Sequence, residues 1–256
     1  MIPVILSAVL IVLVYASIWF IISVIKQRND VADIAWGIGY IVLVAYFFLT
    51  RPHSGRALLV YVLVLIWGVR LATHIFLRSR GKTEDFRYKK WRDEWGKYFY
   101  LRSYFQVYIL QGIAVLCIAS PILVVAAFPQ SSLNALDFLG LSVWLVGFIF
   151  EAVGDFQLAR FIKDPRNRNK IMKTGLWKYT RHPNYFGEVT MWWGMFLVLL
   201  SSPKGIAAIL SPLTITYLLL FVSGIPMLEK QYQGNVEFEE YKKRTSAFFP
   251  LPQRRL

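Results

Sequence analysis

The sequence predicts an all-α, polytopic integral membrane protein with seven transmembrane helices, the N-terminus outside and the C-terminal tail in the cytoplasm. Three observations lead to this fold class: the 256 residues are 56% hydrophobic, only 17% are charged, and the net charge is +14. Soluble domains carry about 45–50% apolar and about 25% charged residues, so the composition argues against an ordinary cytosolic enzyme. The apolar content excludes disorder, and a single cysteine, Cys117, excludes a disulfide scaffold.

Seven apolar stretches account for the hydrophobicity. A helix that crosses the roughly 30 Å hydrocarbon layer needs about 20 mostly apolar residues. Residues 2–25 meet this requirement without a charge, and the absence of a basic segment before them favours a first span over a signal peptide. The other predicted spans are 31–49, 57–77, 104–127, 135–155, 185–200 and 206–228. Kinks or breaks are expected at three prolines, which are Pro121, Pro212 and Pro226.

The basic residues lie almost entirely on one predicted side of the membrane. The segments that follow spans 1, 3 and 5, together with the tail 229–256, hold 25 of the 29 Lys and Arg residues. By the positive-inside rule this side is cytoplasmic. We therefore expect one membrane domain over 1–256 in a bacterial-type inner membrane, with its functional loops in the cytoplasm. The tail cations include Arg254 and Arg255.

The loops after spans 3 and 5 carry more positive charge than orientation requires. One interpretation is attraction to anionic lipid headgroups. The other is a cytoplasmic pocket for a polyanionic cofactor, and charge alone does not separate the two. A nucleic-acid binder would explain the charge but not the hydrophobicity, so no nucleic-acid partner is expected.

Polar residues at membrane depth are costly and often functional. The residues that share one helix face near the start of span 2 are Asp33, Trp36, Gly37 and Tyr40. This face fits a substrate cavity, or alternatively a cap at the end of the span. In span 3 the spacing of four makes one polar stripe of Arg70, His74 and Arg78, of which snorkelling to the interface explains Arg70 least well.

Span 5 also ends in charged residues. Glu151 and Asp155 differ by four positions, and Arg160 follows just beyond the membrane. A buried carboxylate is tolerable when it pairs with a cation or is protonated. A metal site is not predicted, because the histidines are far apart in the sequence; they are His53, His74 and His182.

The segment GLWKYTRHPNYFGEVTMWWG, residues 175–194, is the most informative in the chain. Pro183 disfavours helix at His182 and suits the first turn of a helix, so span 6 is expected to start there. A helix N-terminus preceded by two cations attracts anions, which indicates a phosphate-bearing or carboxylate-bearing cofactor; the alternative is a charged helix cap. The polar members are Arg181, His182, Asn184, Tyr185 and Glu188.

RHPNYFGE resembles a signature shared by integral-membrane sterol and steroid reductases and, more loosely, by isoprenylcysteine carboxyl methyltransferases. DIAWG, WGVRLATHIFLRSRGKTEDFRYKKWR and DFQLARF, taken with GLWKYTRHPNYFGE, resemble the bacterial steroid 5-alpha-reductase-like family. The likeness runs from about residue 26 to the end of the chain.

This resemblance implies a seven-helix membrane fold that holds NADPH on its cytoplasmic side. His182 replaces a small residue of the animal enzymes, and their Gln-Glu pair and span 3 Tyr have no recognisable counterpart here. The residues expected to bind the cofactor are Asp155, Arg160, Lys163, Trp177, Arg181, His182, Asn184, Tyr185, Glu188, Glu229, Tyr241 and Arg244.

The expected reaction is hydride transfer to the C=C bond of an enone such as a 3-oxo-Δ4 steroid. Negative charge then moves to the carbonyl oxygen, which needs a hydrogen-bond donor. Asp33 and His74 are the first candidates for this catalytic role, followed by Tyr88. The residues expected to bind substrate are Trp36, Tyr40 and Arg70.

Two other functions compete with this interpretation. One is an S-adenosylmethionine-dependent methyltransferase of the isoprenylcysteine type, although the many basic residues favour the more highly charged NADPH. The other is a non-enzymatic lipid-binding or transport protein, for which paired discontinuous helices or internal repeats would be expected. In the favoured interpretation the partners are a small hydrophobic substrate and the bilayer, and the protein is a monomer.

Overall fold

The computed structural model describes residues 1–128, 132–202 and 204–254; Arg255, the last predicted tail cation, lies outside the described residues. Within the described part the chain is helical, which confirms the all-α prediction there. Its helices are α1 Ile2–Lys26, α2 Val31–Thr50, α3 Gly55–Ser79, α4 Phe86–Trp95, α5 Phe99–Ser103, α6 Leu110–Ile118, α7 Ser120–Ala127, α8 Ala135–Lys163, α9 Pro183–Leu199, α10 Leu210–Tyr217, α11 Ile225–Lys230 and α12 Val236–Arg244.

Six helical stretches among the described residues are long and apolar enough to cross a membrane. They are Ile2–Lys26, Val31–Thr50, Gly55–Ser79, Phe86–Ile118, Ala135–Lys163 and Gly205–Lys230. Large apolar side chains such as Leu6 and Leu10 on α1 are exposed, as expected for a lipid-facing surface. The predicted span 185–200 corresponds to α9, whose 17 residues fall short of the usual crossing length of about 20. A seventh crossing, the orientation and the location of the tail remain predictions.

The fourth stretch differs most from its predicted bounds of 104–127. It starts at Phe86, because α4 continues through short 3₁₀ and π-helical segments into α6. It ends at Ile118, and α7 then begins at Ser120 with Pro121 in its first turn. Proline has no N–H to donate and is tolerated in a first turn, so the predicted break at Pro121 is confirmed. Pro226 likewise lies in the first turn of α11.

Contacts divide the chain into two compact units. Unit 1 comprises Met1–Leu133 and Ser202–Leu210, and unit 2 comprises Asn134–Ser201 and Ser211–Leu256. Whether the two units make up one membrane domain stays a prediction.

In unit 1, α2 and α3 approach each other at two glycines. A Cβ atom at Gly37 would lie 2.8 Å from the carbonyl oxygen of Gly68, so Gly37 has no room for a side chain, and a Cβ atom at Gly68 would make a tight contact of 3.1 Å with the Gly37 carbonyl oxygen. Small residues allow such close backbone approach between membrane helices. One turn further along α2, the buried ring of Tyr40 packs edge-to-face on Trp67 of α3, with ring centroids 5.1 Å apart.

In unit 2, α8 and α9 are joined by a seam of glycines. Positions seven residues apart lie on one helix face, and the seam members are Gly140, Gly147 and Gly154 of α8 and Gly187 and Gly194 of α9. A Cβ atom at Gly187 would lie 2.5 Å from the carbonyl oxygen of Gly147. The seam therefore presses the first turns of α9 against the last third of α8, where Asp155 lies.

Candidate functional site

Each unit contains one cluster of polar residues that the sequence singled out. In unit 2 the cluster is built around the start of α9, which begins at Pro183 as predicted. The chain reaches α9 through Gly175, whose φ of +63° suits glycine. Two hydrogen bonds attach the segment after Gly175 to α8. The Leu176 N–H donates to Gln157 Oε1 at 2.9 Å, and Trp177 Nε1 donates to the Gly154 carbonyl at 3.1 Å.

Arg181 lies at the centre of a buried network. Its Nε donates to Glu229 Oε1 at 2.8 Å, and the Arg181 and Glu229 side chains are only 9% and 14% exposed. The same guanidinium donates to the carbonyl oxygens of Thr245 and Lys242. All of these acceptors are in or near the C-terminal tail, so Arg181 connects the start of α9 to the tail.

Backbone contacts strengthen this connection. Thr180 and Ser246 form a parallel bridge, and the Arg181 N–H donates to the Ser246 carbonyl at 2.9 Å. The Leu251 N–H donates to Tyr179 O at 3.0 Å. The buried Tyr241 hydroxyl donates to the carbonyl of Trp177. The segment before α9 is therefore held by the tail on one side and by α8 on the other.

His182 is buried beside the same carboxylate. Its Nε2 lies 3.1 Å from Glu229 Oε1, and its ring stacks on Tyr185 with centroids 5.4 Å apart. Burial lowers the pKa of His182 below its ordinary value, although the Glu229 carboxylate favours the charged form. The neutral imidazole is therefore the favoured form in the folded protein.

Asn184, in the first turn of α9, has spare hydrogen-bonding capacity. Its Nδ2 donates to Asp155 Oδ1 at 3.1 Å, as the close approach of α8 allows. Its Oδ1 is buried and accepts no hydrogen bond from the described residues. A buried acceptor without a donor is costly, so this atom fits a ligand that presents an N–H or O–H group.

The remaining cofactor candidates of unit 2 are distributed around this core. Glu188 is buried, whereas Arg160, Lys163 and Arg244 are exposed. Of the residues expected to bind the cofactor, the structure thus joins Arg181, His182 and Glu229 in one network. It joins Trp177 with Tyr241, and Asp155 with Asn184, by single hydrogen bonds.

The cluster of unit 1 is centred on Asp33, in the first turn of α2. The Tyr88 hydroxyl donates to Asp33 Oδ1 at 2.7 Å, and Arg87 donates to Oδ2, also at 2.7 Å. Tyr88 is buried, while Asp33 and Arg87 are half-buried. Asp33 on α2 and Tyr88 on α4, two of the predicted catalytic residues, therefore contact each other.

Asp85 fixes the other side of Arg87. Arg87 Nε donates to Asp85 Oδ1 at 2.9 Å, and the Arg87 backbone N–H donates to the same oxygen at 3.0 Å. Burial alone would raise the pKa of Asp85, but the hydrogen bonds and charge of Arg87 hold it below its ordinary value. Arg87 is thus shared between Asp85 and Asp33, a role that the sequence did not indicate.

The turn between α1 and α2 is attached to the loop before α4 by hydrogen bonds. The Asp85 N–H donates to Asp30 Oδ2 at 3.1 Å. Glu84 accepts a 2.6 Å hydrogen bond from the Asn29 N–H. These contacts hold the first turn of α2, and so Asp33, next to α4.

The predicted substrate residues occupy different environments. Tyr40 is fully buried in the core between Trp36 and Trp67. Trp36 lines a small apolar crevice of about 20 Å³ between α1, α2 and α6. Arg70 and His74 are half-buried on α3.

Comparison with known proteins gives one family and several distant relatives. A model of the DUF1295 family, described as a protein of unknown function, matches residues 19–245. An uncharacterized protein of Schizosaccharomyces pombe is 26% identical over 168 residues, which are 56% of this chain and 48% of that protein.

Two mammalian relatives have a named activity. Mouse 3-oxo-5-alpha-steroid 4-dehydrogenase 1 is 30% identical over 113 residues, or 44% of this chain and 41% of the mouse protein. Its rat counterpart is 28% identical over 114 residues, or 44% of this chain and 40% of the rat protein. The chain thus spans less than half the length of the relatives it matches. No solved structure matches it. Because the family model covers most of the chain, the protein belongs to DUF1295, the steroid 5-alpha-reductase-like family.

Proposed function

We propose that the protein is an NADPH-dependent membrane reductase that transfers hydride to the C=C bond of an enone lipid, such as a 3-oxo-Δ4 steroid. Family membership and the two 3-oxo-5-alpha-steroid 4-dehydrogenase relatives support this reaction class. The observation that carries the proposal is the hydrogen bond from the buried Tyr88 hydroxyl to Asp33.

An enone needs a hydrogen-bond donor at its carbonyl when it accepts hydride. Hydride adds at the β carbon, the C=C electrons move toward the carbonyl, and negative charge develops on its oxygen. The Tyr88 hydroxyl has a single proton, and in this structure it uses that proton to donate a hydrogen bond to Asp33. A substrate carbonyl at Tyr88 would compete for that proton and be stabilised as the charge develops.

Arg87 allows the Tyr88 hydroxyl to turn from Asp33 to the substrate carbonyl. It donates to the Asp33 carboxylate at 2.7 Å, so Asp33 keeps a cationic partner when the Tyr88 proton turns toward substrate. A carboxylate left without any donor in a half-buried site would strongly oppose that rotation. We assign Tyr88 as the donor, Asp33 as the group that orients it, and Arg87 as the counter-ion of Asp33.

Asn184, Tyr185 and Asp155 are proposed to hold the cofactor, together with the exposed cations of unit 2. The buried Asn184 Oδ1, which lacks a donor among the described residues, fits an N–H or O–H group of NADPH. Arg160, Lys163 and Arg244 fit its phosphates by charge. When bound, NADPH supplies the hydride.

Arg181 and Tyr241 are proposed to position the cofactor site without contacting the cofactor. Arg181 donates hydrogen bonds to Glu229 and to tail carbonyls, and the Tyr241 hydroxyl donates to the carbonyl of Trp177. In this scheme they keep the segment before α9 in place. Glu188 and His182 remain cofactor candidates. Trp36, Tyr40, Arg70 and His74 remain candidates for substrate binding or catalysis.

A cofactor comparison on the purified protein in lipid nanodiscs tests this proposal. We expect NADPH to raise the melting temperature and S-adenosylmethionine to leave it unchanged, and we expect enone-dependent oxidation of NADPH. Stabilisation by S-adenosylmethionine alone would support the methyltransferase alternative instead. Stabilisation by neither cofactor, in a protein that melts cooperatively, would favour a lipid-binding or transport role.

A further inference from the structure

The C-terminal tail of unit 2 exposes an apolar patch. Its members, called here the tail patch, are Tyr179, Phe249 and Leu251, whose exposed fractions are 44%, 63% and 52%. The Leu251 N–H donates to the Tyr179 carbonyl at 3.0 Å, so the two chain segments that carry the patch lie side by side. Exposed apolar side chains that lie together mark an interaction site more often than scattered ones do.

Backbone and side-chain hydrogen bonds hold the tail patch in place. The Arg254 N–H donates to the Arg244 carbonyl at 3.0 Å, and Gln253 Nε2 donates to Thr245 Oγ1 at 3.1 Å. The residues that follow the patch are therefore paired with the end of α12. The patch is a shaped surface and not a set of side chains on a loose chain end.

Aromatic contacts connect the tail patch to a membrane-crossing helix. The Phe249 ring contacts Phe186 of α9 edge-to-face with centroids 6.3 Å apart, and Phe186 contacts Phe150 of α8 in the same way at 5.0 Å. The helix α8 is long and apolar enough to cross a membrane, and Phe150 lies near its middle, about 20 Å from its end at the rise of an α-helix. Phe249 is thus two aromatic contacts away from a residue at membrane depth.

The backbone of the tail patch suits a medium without water. Pro250 and Pro252 have no N–H, and the N–H of Leu251 between them is already bonded to Tyr179. From Pro250 to Pro252, then, no backbone N–H needs water as an acceptor. Unbonded backbone groups keep irregular segments out of a bilayer, and this segment has none on the donor side.

Cations flank the tail patch on both of its chain segments. Lys178 precedes Tyr179, Arg254 follows Leu251 by three positions, and both cationic side chains are exposed. Apolar side chains flanked by Lys and Arg are typical of segments that lie in the interface of an anionic membrane. A second copy of the chain fits less well, since a symmetric contact would bring equal cations together.

We propose that the tail patch inserts into the interface of a bilayer leaflet that contains anionic phospholipid. Phe249 and Leu251 enter the acyl region, Tyr179 lies at the level of the headgroups, and the two flanking cations bind lipid phosphates. The tail is thereby a membrane attachment of unit 2 that does not span the bilayer. The inference depends on the tail patch and not on the cofactor site or on reductase activity.

Spin-label depth measurements on the full-length protein test this insertion. The single cysteine is removed as Cys117→Ala, and a nitroxide is attached at Leu251→Cys, or at Phe249→Cys if the first substitution lowers the melting temperature. Glu240→Cys, at an exposed position of α12 in the same tail, is the matched control. The relaxation agents are oxygen, which concentrates in the acyl region, and a water-soluble nickel chelate, in nanodiscs of phosphatidylcholine and phosphatidylglycerol.

The label at position 251 should lie about 5–10 Å inside the membrane boundary, and the label at position 240 should lie in water. If the nickel chelate reaches position 251 as readily as position 240, the proposal is overturned. A label at position 251 that is shielded from both agents and broadened by a second label would show a contact between two copies, which also overturns it.

A second pair of variants tests the anionic lipid. Lys178→Ala/Arg254→Ala should bring the label at position 251 closer to water, because two headgroup contacts are lost. Lys89→Ala/Lys90→Ala, which removes two exposed cations of unit 1, should leave its depth unchanged. An unchanged depth in the first double variant would overturn the role assigned to anionic phospholipid. Neither measurement depends on whether NADPH binds or an enone is reduced.

Discussion

The Tyr88 hydroxyl donates a 2.7 Å hydrogen bond to Asp33 across 55 residues of sequence. Arg87, the neighbour of Tyr88, donates to the other oxygen of the same carboxylate. A single turn of α4 therefore provides a neutral donor and a cation to one carboxylate on α2. This arrangement makes the two candidate catalytic residues interdependent, which their separate positions in the sequence did not imply.

Tyr88→Phe should lower enone reduction by about 10²–10³-fold, the usual effect of removing one donor to a developing oxyanion. Asp33→Asn should also lower the rate, because the amide offers one acceptor oxygen in place of two and has no negative charge to pair with Arg87. The rates of both variants and of the double variant are measured at saturating NADPH. We expect the double variant to be little slower than Tyr88→Phe, since the residues act as one unit. Fully multiplicative losses would contradict the pairing, and near-normal rates in both single variants would exclude the catalytic assignment.

Asn184→Ala should raise the Kd for NADPH by about tenfold, the value of roughly one hydrogen bond to a buried acceptor. The Asn184 Oδ1 atom is the buried acceptor assigned to the cofactor. Gln231→Ala removes an exposed amide from the same unit and serves as the control. Titration of NADPH followed by thermal stability measures both. Equal affinities for the two variants would show that Asn184 does not contact the cofactor.

Glu229→Gln should destabilise unit 2 by about 1–3 kcal/mol, because a buried Arg181 loses its charged partner. Glu237→Gln is the matched control: Glu237 binds Lys173 at 2.6 Å, but its side chain is 36% exposed, and such pairs contribute at most about 1 kcal/mol. The measurements are melting temperature and the rate of proteolysis in the tail. Faster tail cleavage is expected for Glu229→Gln only. A tail equally protected in both variants would mean that the Arg181 network does not hold it.

Stability should fall in mild acid because of His182. Burial lowers the pKa of His182, so the unfolded chain binds its proton more readily than the folded protein does. Stability then rises with pH between the lowered pKa and the ordinary imidazole value of about 6.5, and it is lost as pH falls through that window. The melting temperature of His182→Gln should depend less on pH than that of the unmodified protein. Parallel pH profiles for the two proteins would show that His182 is not the titrating group.

Gly187→Ala should prevent stable packing of unit 2. Its Cβ would lie 2.5 Å from the Gly147 carbonyl oxygen, and backbone atoms cannot move aside as a side chain can. Gly55→Ala is the control, because its Cβ would meet only the Leu133 side chain at 4.0 Å. Yield and melting temperature in detergent should fall sharply for the first variant and stay unchanged for the second. Normal yield and stability of Gly187→Ala would show that α8 and α9 are farther apart than described.

Hydropathy predicted most helices to within a few residues, because a long apolar run in a membrane protein has few alternatives to helix. Span 3, for example, was expected over 57–77 and forms Gly55–Ser79. The fourth stretch began earlier than expected because α4, with the sequence FRYKKWRDEW, carries too many charges for a hydropathy signal. The glycines spaced by seven in α8 and α9 were visible in the sequence, but their meaning depended on knowing that these helices are partners.

The sequence predicted those features of the candidate site that depend only on residues close together in the chain. The helix start at Pro183 follows from proline chemistry in a short segment. The Arg181–Glu229 and Asp33–Tyr88 contacts join residues 48 and 55 positions apart, and one sequence does not specify such pairings. Arg181 illustrates the difference: charge alone favoured an anion ligand, whereas the structure commits this guanidinium to Glu229 and the tail.

Transfer of deuteride is the most direct test of the proposed reductase. The purified protein in nanodiscs is given NADPH carrying deuterium at C4 of the nicotinamide, together with a 3-oxo-Δ4 steroid, and the product is analysed by mass spectrometry and NMR. We expect a saturated ketone with one deuterium at the carbon β to the carbonyl, in an amount that Tyr88→Phe strongly reduces. Recovery of unchanged steroid and unoxidised cofactor across a panel of enones, from protein that binds NADPH and melts cooperatively, would contradict it.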